Sequence, residues 1–268
     1  MILKNLYLQS RVNQVWDYSG IDSPNKKHRE SYPYTVRYNY NSRGFRDREW
    51  PDNLEDCIWC FGDSFTVGVG SKLEHTWVYQ LEKVTGKRCI NISLDGASND
   101  WILSKIQDVI KEVNPKHIVV QWSYFHRGHA SNLATDEENR QHIAYVETET
   151  QIKHFKSLIS QLDGLNIVHT FIPDYCGYNY YTLVKSWNNV AGPDWPQLDH
   201  VLDNGLIDTL VENELKELFT DVWGNLKLHM LLQKYNPVYI QTLDWARDEH
   251  HYDIKTATHV ANSIVKQL

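Results

Sequence analysis

From about residue 57 onward, short continuous apolar runs alternate with stretches whose apolar residues recur at helical spacing. Residues 57–61 read Cys-Ile-Trp-Cys-Phe and stop at Gly62, as expected of a strand buried on both faces. Trp77, Val78, Leu81 and Val84 then fall on one helical face, and Gly86 supplies the stop signal. Residues 89–92 predict a second strand. Ile102, Ile106, Val109, Ile110 and Val113 predict a helix that Pro115 closes. Residues 117–122 predict the third strand, and the polar stretch 127–141 an exposed loop. Ile152, Phe155, Leu158, Ile159 and Leu162 mark the next helix, which ends at Gly164. Residues 167–172 are the fourth strand, stopped by Pro173, and 238–242 the fifth. Ile254, Ala257, Val260, Ala261, Ile264 and Val265 form a final amphipathic helix.

Strands that alternate with helices predict an α/β fold, with a parallel sheet covered by helices on both faces. More than sixty residues separate the fourth and fifth strands, too many for a bare connection. Helical spacing in Leu206, Leu210, Val211, Leu215, Leu218 and Phe219, and again in Leu228, Leu231, Leu232 and Tyr235, makes 174–236 a helical insert. Residues 1–56 lack such periodicity and are rich in Tyr and Arg, so they read as an arm wrapped on a domain that spans 57–268.

Composition narrows the class of protein. The 268 residues carry 27 Lys plus Arg against 34 Asp plus Glu, a formal charge of -7, and no basic run. That balance argues against a general nucleic-acid binder, whose affinity comes from neutralised phosphates. The 10 Trp, 16 Tyr and 7 Phe argue against disorder. The start of the chain lacks the apolar stretch of a secretory signal, and no stretch approaches a membrane span, so a soluble, cytoplasmic protein is expected. Cys57, Cys60, Cys89 and Cys176 are too few for a disulfide framework. Cys57 and Cys60 lie three apart on a predicted strand and should point to opposite faces, as packed thiols and not as metal ligands.

The sharpest local feature is Gly62-Asp63-Ser64, placed where the first strand ends. A serine there sits at the rim where open α/β sheets bind ligands, and it is either a nucleophile facing a crevice or a cap of the following helix. Asp248-Glu249-His250-His251, just before the last helix, bears on that choice. In a helical or 3₁₀ turn, residues three apart share a face, so Asp248 can hold one ring nitrogen of His251 and leave the other for Ser64. His126 and His129 share a spacing but lack a third ligand, and no metal is called for. Gly68-Val-Gly70 lacks the Gly-Lys-Ser/Thr of a phosphate loop. Arg43, Arg46 and Arg48 are expected to pair with neighbouring acidic residues. His117 and His169 are expected to be satisfied core or edge histidines.

Taken together, these spacings resemble the SGNH, or GDSL, hydrolase family. Ser64 in Gly-Asp-Ser matches its first block, and Asp248-x-x-His251 before a terminal helix matches its last. Gly96, in Asn91-Ile-Ser-Leu-Asp-Gly-Ala-Ser-Asn-Asp, matches the glycine of its second block. Tyr40-Asn-Ser-Arg-Gly-Phe-Arg46 is similar to an N-terminal segment common in the family, so the resemblance covers 38–268. It implies a three-layer α/β/α, flavodoxin-like fold with a central five-stranded parallel sheet, and no cofactor. It also implies a serine esterase that uses a Ser64, His251, Asp248 triad and an acyl-enzyme. The backbone amides of Ser64 and Gly96 would form its oxyanion hole.

The third block departs from the family. Its usual Gly-x-Asn-Asp is replaced by Gln121-Trp-Ser-Tyr124, so the missing asparagine donor is either Ser123 or Asn99. Tyr175, Tyr178, Tyr180, Tyr181, Trp187 and Trp195 of the insert either stack on a sugar or form a small aromatic core. Tyr175, Tyr178 and Trp187 are the expected substrate contacts, and a carbohydrate O-acetyl esterase acting on a glycan ester is the expected function. A glycan-binding or structural module with little turnover, and an O-acyltransferase using Ser64, are the alternatives.

Overall fold

The computed structural model describes residues 5–17, 30–32, 35–123, 149–172, 189–191, 244–248 and 251–268. Four strands, β3 (Ile58–Gly62), β4 (Cys89–Ser93), β5 (His117–Trp122) and β6 (Ile167–Phe171), form one sheet in the order β4-β3-β5-β6. Every pairing in it is parallel. Its residues are buried on both sides except at His117 and His169, as expected of short strands rich in apolar residues. Before it, β1 (Val15–Asp17) and β2 (Arg37–Asn39) pair antiparallel in a separate two-stranded sheet. The predicted loop 127–141, the fifth strand 238–242 and the helices of the insert lie outside the described residues.

The clearest helix boundaries follow their sequence signals. The helix Trp77–Thr85 is capped by the Thr76 hydroxyl, which accepts from the Tyr79 amide, and by Gly86 in the left-handed conformation. The helix Asn99–Glu112 is capped by Ser98, and the others run over Glu149–Ser160 and Ile254–Val265. With the one-turn helix Ser64–Val67 counted first, these are α1 (Ser64–Val67), α2 (Trp77–Thr85), α3 (Asn99–Glu112), α4 (Glu149–Ser160) and α5 (Ile254–Val265).

The alternation along β3 sorts the core into two layers. Cys57, Trp59 and Phe61 pack with Ile102, Ile106 and Val109 of α3 and with Phe155 and Leu158 of α4. Ile58 and Cys60 pack with Trp77 and Leu81 of α2 and with Ala257, Val260 and Ile264 of α5. The result is a helix, sheet, helix sandwich. Cys57 and Cys60 fall on opposite faces, and Cys57, Cys60 and Cys89 are free thiols. Leu6 and Phe45, from the N-terminal part read as an arm, are fully buried in the first layer. Each large apolar side chain buried in this way contributes about 1.5–3 kcal/mol. Among the described residues, no helix is long and apolar enough to cross a membrane.

Both edges of the sheet, as formed by the described residues, are covered. On the outer side of β4, the amides of Cys89 and Asn91 donate to Glu82 and Asp47, at 3.0 and 3.1 Å. Arg88 bridges those two carboxylates and holds them in place. At the other edge, Val190 forms a parallel bridge with His169, with the His169 amide donating to Asn189 and the Ala191 amide to His169. Part of the predicted insert therefore returns to pair beside β6.

His169 is placed for neutrality. The Trp122 indole donates to its Nδ1 at 3.1 Å, and the two rings stack at 13°. Burial pushes its pKa from 6.5 down to about 4. Between those values the unfolded chain binds a proton that the folded chain refuses, so stability is lost on acidification. Urea titrations at pH 7 and pH 4.5 are expected to differ by about 2–3 kcal/mol more in the wild type than in His169→Gln. An equal pH response in the two proteins would remove this role from His169.

Candidate active site

The chain leaves β3 through a turn that is built from its own side chains. Asp63 caps α1: its Oδ1 accepts from the Phe65 amide at 3.0 Å, and its carbonyl accepts from Thr66 and Val67. Ser64 thus becomes the first residue of a one-turn helix, 2 % exposed, at the carboxyl end of a central strand. A Cβ at Gly62 would lie 1.9 Å from Thr66 Oγ1, so the doubling back of the chain requires glycine there. Thr66 Oγ1 in turn accepts from the Trp77 indole and donates to Gln121 Oε1, both at 3.1 Å.

The last carbonyls of this short helix find donors from distant segments. Gly68 stands in the left-handed conformation and donates to the Ser64 carbonyl, while Asn91 Nδ2 donates to that of Thr66. Arg46 serves the rest. One of its nitrogens donates to the carbonyls of Val67 and Gly68 and the other to Ser71 at 2.7 Å, while its guanidinium lies 4.0 Å from the Tyr38 ring centre. Burial lowers the pKa of this group, yet charge is favoured by the carbonyls of a helix C-terminus. The expected pairing of Arg46 with acidic neighbours is therefore corrected, because the helix end turns its carbonyls toward the guanidinium. Arg48 does pair with Glu82, and Arg43 stacks on Trp50.

His251 reaches the same rim from the far end of the chain. Its Nδ1 lies 2.6 Å from Asp248 Oδ2 and its own amide donates to Asp248 Oδ1 at 3.1 Å. With the Nδ1 hydrogen donated to the carboxylate, Nε2 is the ring's acceptor. The imidazole packs on Phe65, the residue after Ser64, with ring centres 4.5 Å apart. At the ends of the segment, Trp245 and Tyr252 form an antiparallel bridge, and the Ala246 amide donates to the His251 carbonyl. Asp248 sits against the loop after Ser64. The Arg247 amide donates to the Gly70 carbonyl, and a Cβ at Gly70 would lie 2.6 Å from Asp248 Oδ1. Glycine, at φ +77°, is what lets this carboxylate approach.

Gly96 and the third-block residues complete the rim. Gly62 is in register with Ser93, and the Leu94 amide donates to the Gly62 carbonyl, so the loops after β3 and β4, which carry Ser64 and Gly96, leave the sheet side by side. Asn99 and Ser123 are joined by two bonds: Asn99 Nδ2 donates to the Ser123 carbonyl at 3.0 Å, and the Ser123 amide to Asn99 Oδ1 at 2.8 Å. The Ser123 hydroxyl donates to Asp63 Oδ2 at 2.7 Å. A hydroxyl has one hydrogen, and in this arrangement Ser123 directs it to the cap of α1. Behind these groups, the Tyr252 hydroxyl lies 3.0 and 3.1 Å from the two polar atoms of Gln121, with burial raising the phenol pKa.

Ser64, His251, Asp248, Gly96, Asn99 and Ser123 are thus brought to one end of the sheet, while Tyr175, Tyr178 and Trp187 lie outside the described residues. The structuring roles of Arg46, Gln121 and Tyr252 give no signal in the sequence. Arg46 stands within the N-terminal segment that resembles the family's, and nothing in a linear pattern says which helix end it meets.

No protein-family model matches the chain, and a search of curated proteins finds no match. Solved structures do align with it. One described as a lipolytic protein of the G-D-S-L family from Desulfitobacterium hafniense DCB-2 is 14% identical, with a TM-score of 0.43 over 80% of this chain and 99% of that one. A GDSL-like lipase from Bacteroides thetaiotaomicron VPI-5482 is 12% identical, with a TM-score of 0.34 over 82% and 90%. One described as an acylhydrolase from Bacteroides fragilis NCTC 9343 is 15% identical, with a TM-score of 0.34 over 81% and 88%. Likenesses as weak as these carry no functional weight by themselves; the side-chain geometry at the rim of the sheet does.

The contrast between two arginines is measurable. Arg46→Leu is expected to cost about 3–5 kcal/mol, because it strips donors from buried carbonyls. Arg48→Ala, at a half-exposed ion pair, should cost no more than about 1 kcal/mol. Equal urea midpoints for the two variants would contradict the role given to Arg46.

Proposed function

We propose that this chain is a serine esterase of the SGNH, or GDSL, type, with Ser64 as nucleophile, His251 as general base and Asp248 as its orienting acid. The observation that carries the reading is the Asp248 and His251 pair seated on Phe65, beside a serine presented at the end of a buried parallel strand. Ser64 Oγ attacks the ester carbonyl as His251 Nε2 takes its proton, and Asp248 holds the Nδ1 hydrogen and steadies the imidazolium. The backbone amides of Ser64 and Gly96, with the Asn99 side chain, face the oxygen that gains charge. The alkoxide leaves with the proton from His251. Water, activated by the same nitrogen, then releases the acid and frees Ser64.

For the substrate we infer an O-acetyl group on a carbohydrate. The reading is supported by the density of Tyr and Trp in 174–195, side chains whose flat faces suit pyranose rings. The segment 174–236 would then act as one wall of the site, and residues 1–56 as an arm that holds the loop after Ser64 from behind.

A fluorophosphonate probe is expected to label the wild type and to leave Ser64→Ala unlabelled. Asp248→Asn is expected to keep the fold and to lose about 10³–10⁴ in kcat on p-nitrophenyl acetate. Acetate release from acetylated polysaccharide, faster than from p-nitrophenyl acetate at equal ester concentration, would support the sugar. A wild type inert to the probe, beside a control hydrolase that labels, overturns the esterase reading.

A further inference from the structure

The strand segment that carries His251 makes one contact that ester hydrolysis does not use. Asp253 precedes α5 and would ordinarily cap it, yet its side chain makes no such bond. Asp244 caps the helix in its place, accepting from the amides of Lys255 at 2.8 Å and Thr256 at 2.9 Å. The Asp253 carboxylate is turned instead to the loop that follows Ser64. There its Oδ1 accepts from the Ser71 hydroxyl at 3.0 Å and lies 2.7 Å from His75 Nδ1. Asp253 is 5 % exposed, so the carboxylate end of the pair is screened from water. The chain thus holds a second His and Asp pair two residues from the first.

Three consecutive side chains are therefore anchored on three elements. His251 lies on Phe65 of α1, Tyr252 bonds to Gln121 of β5, and Asp253 bonds to Ser71 and His75. The Ser71 carbonyl is also one of those held by Arg46, so the loop that receives Asp253 is itself fixed to α1. A displacement of about 1 Å in a catalytic base can cost about a hundredfold in rate. An anchor that joins the base-bearing segment to the nucleophile-bearing loop governs that spacing.

We propose that His75, acting through Asp253, is a positioning residue of the site: it sets the distance and angle at which His251 faces Ser64. The proposal rests on the esterase reading. What matters is a hydrogen donated to Asp253 from the place of Nδ1, which an asparagine side chain at 75 can supply and a leucine cannot.

The test compares wild type, His75→Leu, His75→Asn and Ser71→Ala by fluorophosphonate labelling rate and by kcat and KM on p-nitrophenyl acetate, well below each thermal midpoint. In His75→Leu, kcat and labelling rate should fall about ten- to a hundredfold with KM within about twofold. His75→Asn should recover to within about threefold of wild type, a rescue that a merely space-filling histidine would not show. Ser71→Ala, which removes one of two donors and keeps the histidine, should fall about threefold and stands in if His75→Leu does not fold. An active wild type with His75→Leu equal to it, or with His75→Asn as slow as His75→Leu, overturns the positioning role alone. A wild type that neither labels nor hydrolyses overturns the esterase reading, and the positioning role with it.

Discussion

A buried guanidinium whose partners are backbone carbonyls is the interaction on which the site depends. Arg46 is 1 % exposed and spends its charge on Val67, Gly68 and Ser71. The first two of those carbonyls end the helix that begins at Ser64, and the third belongs to the loop that follows. Four residues are too few to stabilise a helix by propagation, since the first turn fixes several residues for a single bond. The turn persists because Asp63 satisfies its first amides and Arg46 its last carbonyls, so that local structure is supplied from outside the segment. Tyr38 covers the guanidinium and accepts the Gly70 amide at 2.7 Å, which extends the same support to the loop that touches Asp248.

The rim is consequently a set of reciprocal braces more than a set of independent residues. Asp63 caps the helix and accepts the Ser123 hydroxyl; Ser123 in turn presents its backbone amide and carbonyl to Asn99. Gln121 joins Thr66 to Tyr252, and Trp77 closes on Thr66 from α2. Buried polar groups are stabilising only when partnered, and here the partners come from strands and helices that the core already fixes. The short Ser123 hydroxyl is what steadies the cap of α1.

Much of the fold was legible in the sequence because its strands are buried on both faces. Apolar-rich runs such as 117–122, with Pro and Gly between them, leave little choice of class or of boundary. The pairing of β1 with β2 was not legible, since three-residue strands such as Val15–Asp17 give no period to read. The contact of Asp248 with His251 was legible because the two lie three residues apart, and the place of Ser64 because it follows a strand end. Arg46, Gln121, Tyr252 and the diversion of Asp253 were not, because each acts through a partner distant along the chain. Helix capping offers the clearest case: local rules place the cap on Asp253, and tertiary structure moves it to Asp244.

The separation in sequence between the two halves of the site governs the order in which it forms. The turn at Ser64, its Arg46 support and its neighbours on β4 and β5 are all drawn from residues 38–123, a compact stretch whose contacts close early. The contact between Ser71 and Tyr252 spans 181 residues, and closing so long a loop is entropically costly before other contacts reward it. During synthesis from the N-terminus, the serine is in place while the histidine has yet to leave the ribosome. The nascent chain therefore holds Ser64 before it holds His251, and the two meet only when α5 docks against α2.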